Sequence, residues 1–195
     1  MVEPDVSRAL AARAVLALVL LLAVAPARGD EALWTALAEG GHVALMRHAL
    51  APGTGDPEGF RLDDCSTQRN LDQTGRGQAR RTGEAFRERG VRVGQVFSSQ
   101  WCRCLETAKL LALGEVYPFP PLNSFFGDRE RGPKQTAAVR ALLANTDAEG
   151  PSLVMVTHQV NITALTGIFP RSGEIVVLRL GGPDIFETIG TIPAL

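Results

Sequence analysis

The chain is short of the groups on which several chemistries depend. Its three histidines and three cysteines, among 195 residues, fall at no spacing that would close a structural zinc site or hold a catalytic metal. No P-loop sequence is present. A thiol phosphatase loop needs a cysteine, five residues and an arginine, but Cys65 and Cys104 are followed at that distance by Leu71 and Leu110. Ser98 and Ser99 lack the setting of a nucleophile elbow. Net charge is −1, so no basic field exists to gather nucleic acid or an anionic membrane. Basic side chains must therefore act locally. What is present is an ordinary globular balance, 45% hydrophobic and 21% charged, in a length that suits one domain.

The chain opens on a long apolar run. Arg8 and Arg13 precede residues 14–25, and Ala25-Pro26-Ala27 follows with small residues at the positions a signal peptidase reads. This layout predicts a secretory signal peptide over residues 1–27, cut near Ala27, and a single mature domain over 28–195. The apolar core falls short of the about 20 residues a membrane span needs, so no stable membrane insertion is expected after cleavage. An uncleaved anchor is the alternative. Export makes an odd cysteine count notable. Cys102 and Cys104 lie two apart on a predicted helix and face different ways. A Cys65–Cys102 bridge would staple a loop to that helix; three unpaired thiols are the other possibility.

Strands and helices alternate. A short amphipathic helix over 31–39 ends at Gly40-Gly41, and a strand follows over 43–47. After a long loop, 49–72, Thr74 is placed to cap a helix running to Arg89, with Gly90 as its stop. Residues 93–98 form the second strand. Trp101, Cys104, Leu105, Ala108, Leu111 and Ala112 make an apolar stripe at helical spacing. Residues 116–121 are a proline-broken edge strand. A helix over 134–144 offers Ala138, Val139 and Leu142 to the core. A buried strand over 153–157, a short helix over 161–167 and a hairpin, 175–180 with 184–191 around Gly181-Gly182-Pro183, complete the pattern. Repeated β-α-β units predict an α/β three-layer sandwich: a mixed, mainly parallel sheet with helices on both faces.

Ligands in such sheets bind beyond the carboxyl ends of the strands. Arg47-His48, the segment from Ser98 to Arg103, and His158 all fall at such ends. A neutral imidazole is a competent nucleophile, and a guanidinium grips phosphoryl oxygens in a fork. His48 is thus a candidate nucleophile. Arg47 and Arg103 are clamps, the latter in the first turn of its helix where the helix dipole adds to its charge. His158 is a candidate donor to the same phosphoryl group. His42 reads as a strand-edge residue, and Glu106 as half of a local ion pair. Asn161-Ile-Thr163 matches the glycosylation pattern, but it lies beside the site and reads as chance.

These segments resemble the histidine phosphatase superfamily, the phosphoglycerate-mutase-like group, branch 1. Leu45-Met-Arg-His-Ala49 looks like its opening motif. Asn70-Leu-Asp-Gln-Thr-Gly-Arg-Gly-Gln-Ala79 resembles the helix start that follows. Val96-Phe-Ser-Ser-Gln-Trp-Cys-Arg-Cys-Leu-Glu-Thr-Ala108 is similar to the segment of the second arginine, and Val156-Thr-His158 to the second-histidine motif. The resemblance implies a phosphoglycerate mutase-like fold and transient phosphorylation of His48. Arg47, Arg103 and His158 complete the pocket, with no metal or organic cofactor. The chain departs from the pattern at the proton donor. Ser124 occupies the place of the usual acid, and Gln159 stands where another branch carries one. Asp128 is the preferred substitute, ahead of Glu130.

The expected function is an exported, periplasmic or secreted phosphomonoesterase acting on a small or sugar-like phosphate ester. The alternatives are a non-catalytic module that binds phosphorylated ligands and a protein phosphohistidine phosphatase.

Overall fold

The computed structural model describes residues 28–181 and 184–195; the expected leader over 1–27 lies outside the described residues. Helix α1 (Arg28–Glu39) leads into strand β1 (His42–Arg47), and a long loop then reaches α2 (Gln73–Glu88). Next come β2 (Val93–Ser98), α3 (Cys102–Leu111), β3 (Val116–Pro118) and α4 (Gly132–Ala144). The chain closes with β4 (Ser152–Thr157), α5 (Gln159–Thr166), β5 (Ile175–Leu180) and β6 (Phe186–Ile192). The strands form one sheet in the order β3-β2-β4-β1-β5-β6. The first four run parallel, and β5 and β6 pair antiparallel beside β1. The sheet is mixed and mainly parallel, as the β-α-β spacing requires.

Period-two alternation assigns each strand residue to a layer. On one face Ala44, Met46, Val96, Val154 and Val156 meet Trp34 and Leu37 of α1, Phe86 of α2, and Ala108 and Leu111 of α3. On the other, Val43, Leu45, Leu153 and Met155 meet Val139 and Leu143 of α4 and Ile162 of α5. β4 is buried at every residue, which is why its sequence is a continuous apolar run rather than an alternation.

Two local expectations are corrected. The cap of α2 is Asp72, whose carboxylate accepts from the Gly75 amide, not Thr74, which lies inside the helix. An Asp whose side chain bonds three residues on satisfies an end donor more directly than a residue already helical. On α4 the buried set is Gly132, Gln135, Val139 and Leu143, so only Val139 of the expected face is buried. The i, i+4 row of Gln135, Val139 and Leu143 turns Ala138 and Leu142 to the flank.

The long loop is not slack. It contains a short 3₁₀ turn, Cys65–Thr67, capped by Asp64. Cys65 is bridged to Cys102 at the start of α3, which resolves the alternatives left open by composition. Closing 37 residues removes about 4 kcal/mol of unfolded-chain entropy in the loop-closure account. Gln68 adds a second tie, its Oε1 accepting from the Cys102 amide at 3.0 Å. Trp101, at the N-cap of α3, offers no side-chain acceptor, so the loop supplies one.

Helices α2 and α3 pack backbone to backbone at Gly83, where a Cβ would stand 2.0 Å from the Leu111 carbonyl oxygen. Gly83→Ala should therefore cost about 1–3 kcal/mol through overpacking. Gly127→Ala, with nothing within 4 Å of the added carbon, should leave stability nearly unchanged. Urea denaturation of the two variants checks this.

Candidate active site

The parallel pairing of β1 with β4 sets Arg47 opposite Thr157. The residues that follow, His48 and His158, therefore leave the sheet side by side. The His48 amide donates to the Thr157 carbonyl (2.9 Å), and the Ser99 amide beyond β2 donates to that of Val156 (2.9 Å). The rings of His48 and His158 lie 5.5 Å apart, centroid to centroid, edge to face. Arg103, in the first turn of α3, comes to the same place. All four residues, with Asp128, line one cleft of about 780 Å³.

His48 is 2% exposed. Its Nδ1 lies 2.8 Å from the Ala49 carbonyl oxygen. A carbonyl only accepts, so Nδ1 carries the proton and Nε2 keeps its lone pair. Burial, reinforced by Arg103, lowers the His48 pKa to about 3. The ring is therefore neutral and nucleophilic across the physiological range. Burial also holds His158 well below the usual imidazole value, with His48 and then Arg103 adding to the effect. Its Nε2 sits 2.9 Å from Ser99 Oγ and 3.4 Å from Cys104 Sγ, which leaves Nδ1 for a ligand. Cys104 is a free, buried thiol; burial pushes its pKa up to about 12, so it stays protonated. Trp101 packs edge-on against His158 at 5.3 Å.

The two clamps share a feature. Arg47 gives one Nη1–H to the Pro170 carbonyl (3.0 Å), and Arg103 is held end-on by the Asp56 carboxylate at 2.6 and 3.1 Å. In each, Nε is buried and has no hydrogen-bond partner. A buried guanidinium N–H left unpaired is costly, and two of them beside one imidazole pair suit the oxygens of a single oxyanion.

Two participants carried no sequence signal of their own. Arg69 lines the cleft and ties down the loop, its Nε donating to the Gly55 carbonyl (2.7 Å) and its Nη1 to that of Ala51. It stands one residue before the Asn70-Leu71 segment. Asp56 lies in the loop whose residues 53–60 all line the cleft. Among the acid candidates, Asp128 faces the cleft and is exposed, without a side-chain cap bond. Ser124 and Gln159 line it as well. Glu106 pairs with Arg76 of α2 at 2.6 Å. Asn161 is 8% exposed and gives its amide to the Asn123 carbonyl (2.9 Å), an unsuitable glycan acceptor.

An α/β sheet that gathers two imidazoles and three guanidiniums at its carboxyl edge has the layout of a phosphoryl-handling protein. Residues 43–125 match the family model described as the histidine phosphatase superfamily, branch 1. Over those residues the chain is similar to that superfamily. Solved structures share the fold. One is the protein histidine phosphatase SixA complexed with tungstate (16% identity, TM-score 0.57, covering 78% of this chain and 96% of that one). A second is mycobacterial glucosyl-3-phosphoglycerate phosphatase (16%, TM-score 0.55, 75% and 96%). A third is a mutant phosphoserine phosphatase from Entamoeba histolytica with phosphoserine (14%, TM-score 0.56, 77% and 95%). No curated protein matches the chain by sequence.

The lowered histidine values have a consequence for stability. His48 titrates at about 3 in the fold and near 6.5 when unfolded. Between those values the unfolded chain binds more protons, so stability is full above about pH 6.5 and falls as pH drops toward 3. Over pH 6.5 to 4.5 the loss from this one group is about 2–3 kcal/mol. In His48→Asn, which never charges, the melting temperature should fall less steeply over that range. Equal slopes would contradict the assignment.

Proposed function

We propose that the protein is an exported phosphomonoesterase that works through a phosphohistidine on His48 and acts on a small or sugar-like phosphate ester. The observation that carries this reading is the pair of unpartnered, buried Nε–H groups of Arg47 and Arg103 beside a neutral His48. In the first step His48 Nε2 attacks phosphorus and the bond to the ester oxygen breaks. Arg47, Arg103 and a proton on His158 Nδ1 take up the charge that spreads over the phosphoryl oxygens. Asp128 supplies the proton to the departing oxygen. Water then attacks the phosphohistidine, and the N–P bond breaks to release phosphate.

The cleft volume of about 780 Å³ falls within the range of small-molecule sites. Phe126 and Phe169, two of the exposed large apolar residues, line it and offer faces for an apolar or ring-bearing leaving group. The Cys65–Cys102 bridge supports an oxidising compartment, in keeping with the leader expected over residues 1–27. Protein phosphohistidine is the second reading. Ser124 and Gln159, at the two usual acid positions, cannot give up a proton by ionising. An imidazole leaving group can take its proton from solvent on the ring nitrogen away from phosphorus, so it needs less help from an enzyme acid than an alkoxide does.

His48→Ala should lower hydrolysis of an aryl phosphate at least about 10⁴-fold and abolish an acid-labile, alkali-stable phosphoenzyme. Retained turnover would overturn the reading. Asp128→Asn should slow alkyl phosphates about 10²-fold while sparing aryl phosphates, whose leaving groups need no acid. Equal losses on both substrates would remove Asp128 as the donor.

A further inference from the structure

Among the described residues, Asp56 is the one carboxylate paired with a phosphate clamp. Its side chain is 9% exposed and that of Arg103 is 3% exposed. Asp56 Oδ1 accepts from Arg103 Nη1 (2.6 Å) and from the Arg69 amide (3.2 Å). Oδ2 accepts from Arg103 Nη2 (3.1 Å) and from Trp101 Nε1 (3.0 Å). A carboxylate has about four lone-pair sites, and here each has a donor. Such a group is committed as an anion. Burial alone would raise its pKa, but the hydrogen bonds and charge of Arg103 outweigh burial and hold it below the usual value. It therefore makes a poor proton donor, although it lies closer to the clamps than any other acid described above.

The bonds also sort the donors of Arg103. A guanidinium has five N–H groups. Asp56 takes one from each Nη, and the Arg69 carbonyl takes a second from Nη1 at 3.3 Å. What remains is Nε–H and the Nη2–H on the same edge, a ready-made fork, and Nε is the buried atom without a partner. We propose that Asp56 is a positioning residue for the reaction. It grips the end of the Arg103 guanidinium so that the Nε–Nη2 edge is the face offered to the phosphoryl oxygens, with Trp101 and the Arg69 amide locking the carboxylate in turn.

The opposite role would be a plug. A carboxylate on a phosphate-binding arginine can act as a resident competitor that substrate must displace. The two roles predict opposite signs. Removing a plug tightens anion binding, whereas removing a positioner loosens it, since a misplacement of about 1 Å costs about 10²-fold. The bond pattern favours the positioner, because the fork stays free while Asp56 is bound.

The proposal rests on the reading of Arg103 as a phosphoryl ligand, and a double-mutant cycle separates the two. Tungstate affinity of the full folded protein is measured by calorimetry in wild type, Asp56→Asn, Arg103→Ala and the double variant, with melting temperatures alongside. Asp56→Asn confronts Arg103 and Trp101 donors with an amide donor, and it should weaken tungstate about 10-fold or more. The double variant should bind no more weakly than Arg103→Ala alone. Asp56→Glu, which restores the carboxylate, should recover part of the loss, and Trp101→Phe should show a smaller loss of the same sign. For an aryl phosphate the fall in Asp56→Asn should appear in kcat more than in KM. Unchanged or tighter tungstate binding in Asp56→Asn, or a further loss in the Arg103→Ala background, overturns the positioning role. Should Asp56→Asn destabilise the fold, Trp101→Phe carries the same test, and unaltered binding in it overturns the role. Undiminished binding in Arg103→Ala overturns the phosphate-site reading itself.

Discussion

The register between β1 and β4 governs the rest of the molecule. The two strands are distant in sequence, and each runs into a histidine that lines the cleft. Because they pair in parallel with Arg47 opposite Thr157, both chains leave the sheet at the same height. A slip of one residue would turn every strand side chain to the opposite layer. Val43 and Leu45 would then face α1 to α3 and Ala44 and Met46 would face α4 and α5, exchanging large and small residues across both cores. The packing that excludes this slip therefore also fixes the distance between the imidazoles. Stability and site geometry rest on the same set of apolar contacts.

Around that fixed pair the loop between β1 and α2 supplies the variable part. It provides a wall of the cleft, the third guanidinium and the carboxylate on Arg103. Three of the ties that bind it to the start of α3 are the Cys65–Cys102 bridge, the Gln68 bond to the Cys102 amide, and the Asp56–Arg103 pair. The three lie along one short stretch of helix, so the loop approaches the site from one side. Three guanidiniums close together would repel one another strongly in a buried setting. Asp56 offsets one of those charges, leaving an excess of two, which matches the dianionic form of a phosphomonoester near neutral pH.

Much of this was legible in the sequence because it is carried by periodicity. Apolar runs marked the strands, their ends marked where ligands bind, and His48, Arg47, Arg103 and His158 sat at those ends. The alternation of elements was enough for the mixed sheet. Asp56 and Arg69 escaped notice because their roles depend on where an irregular loop travels, and no period encodes that path. Ser99 and Cys104 gained importance only when His158 was seen to rest on them. The helix over α4 was readable, yet its buried face was not, since its apolar residues are too evenly spread to mark one side. The choice between bridged and free cysteines likewise needed the spatial position of Cys65.

The unpaired Cys104 sits two residues from a bridged cysteine, an arrangement that ordinarily invites scrambling. Exchange proceeds through the thiolate. With a pKa of about 12 the anion amounts to roughly one molecule in 10⁵ at neutral pH, and the sulfur is fully enclosed. The same burial that keeps the thiol against His158 therefore makes it an inert neighbour, and the Cys65–Cys102 linkage can persist beside an odd cysteine without reshuffling.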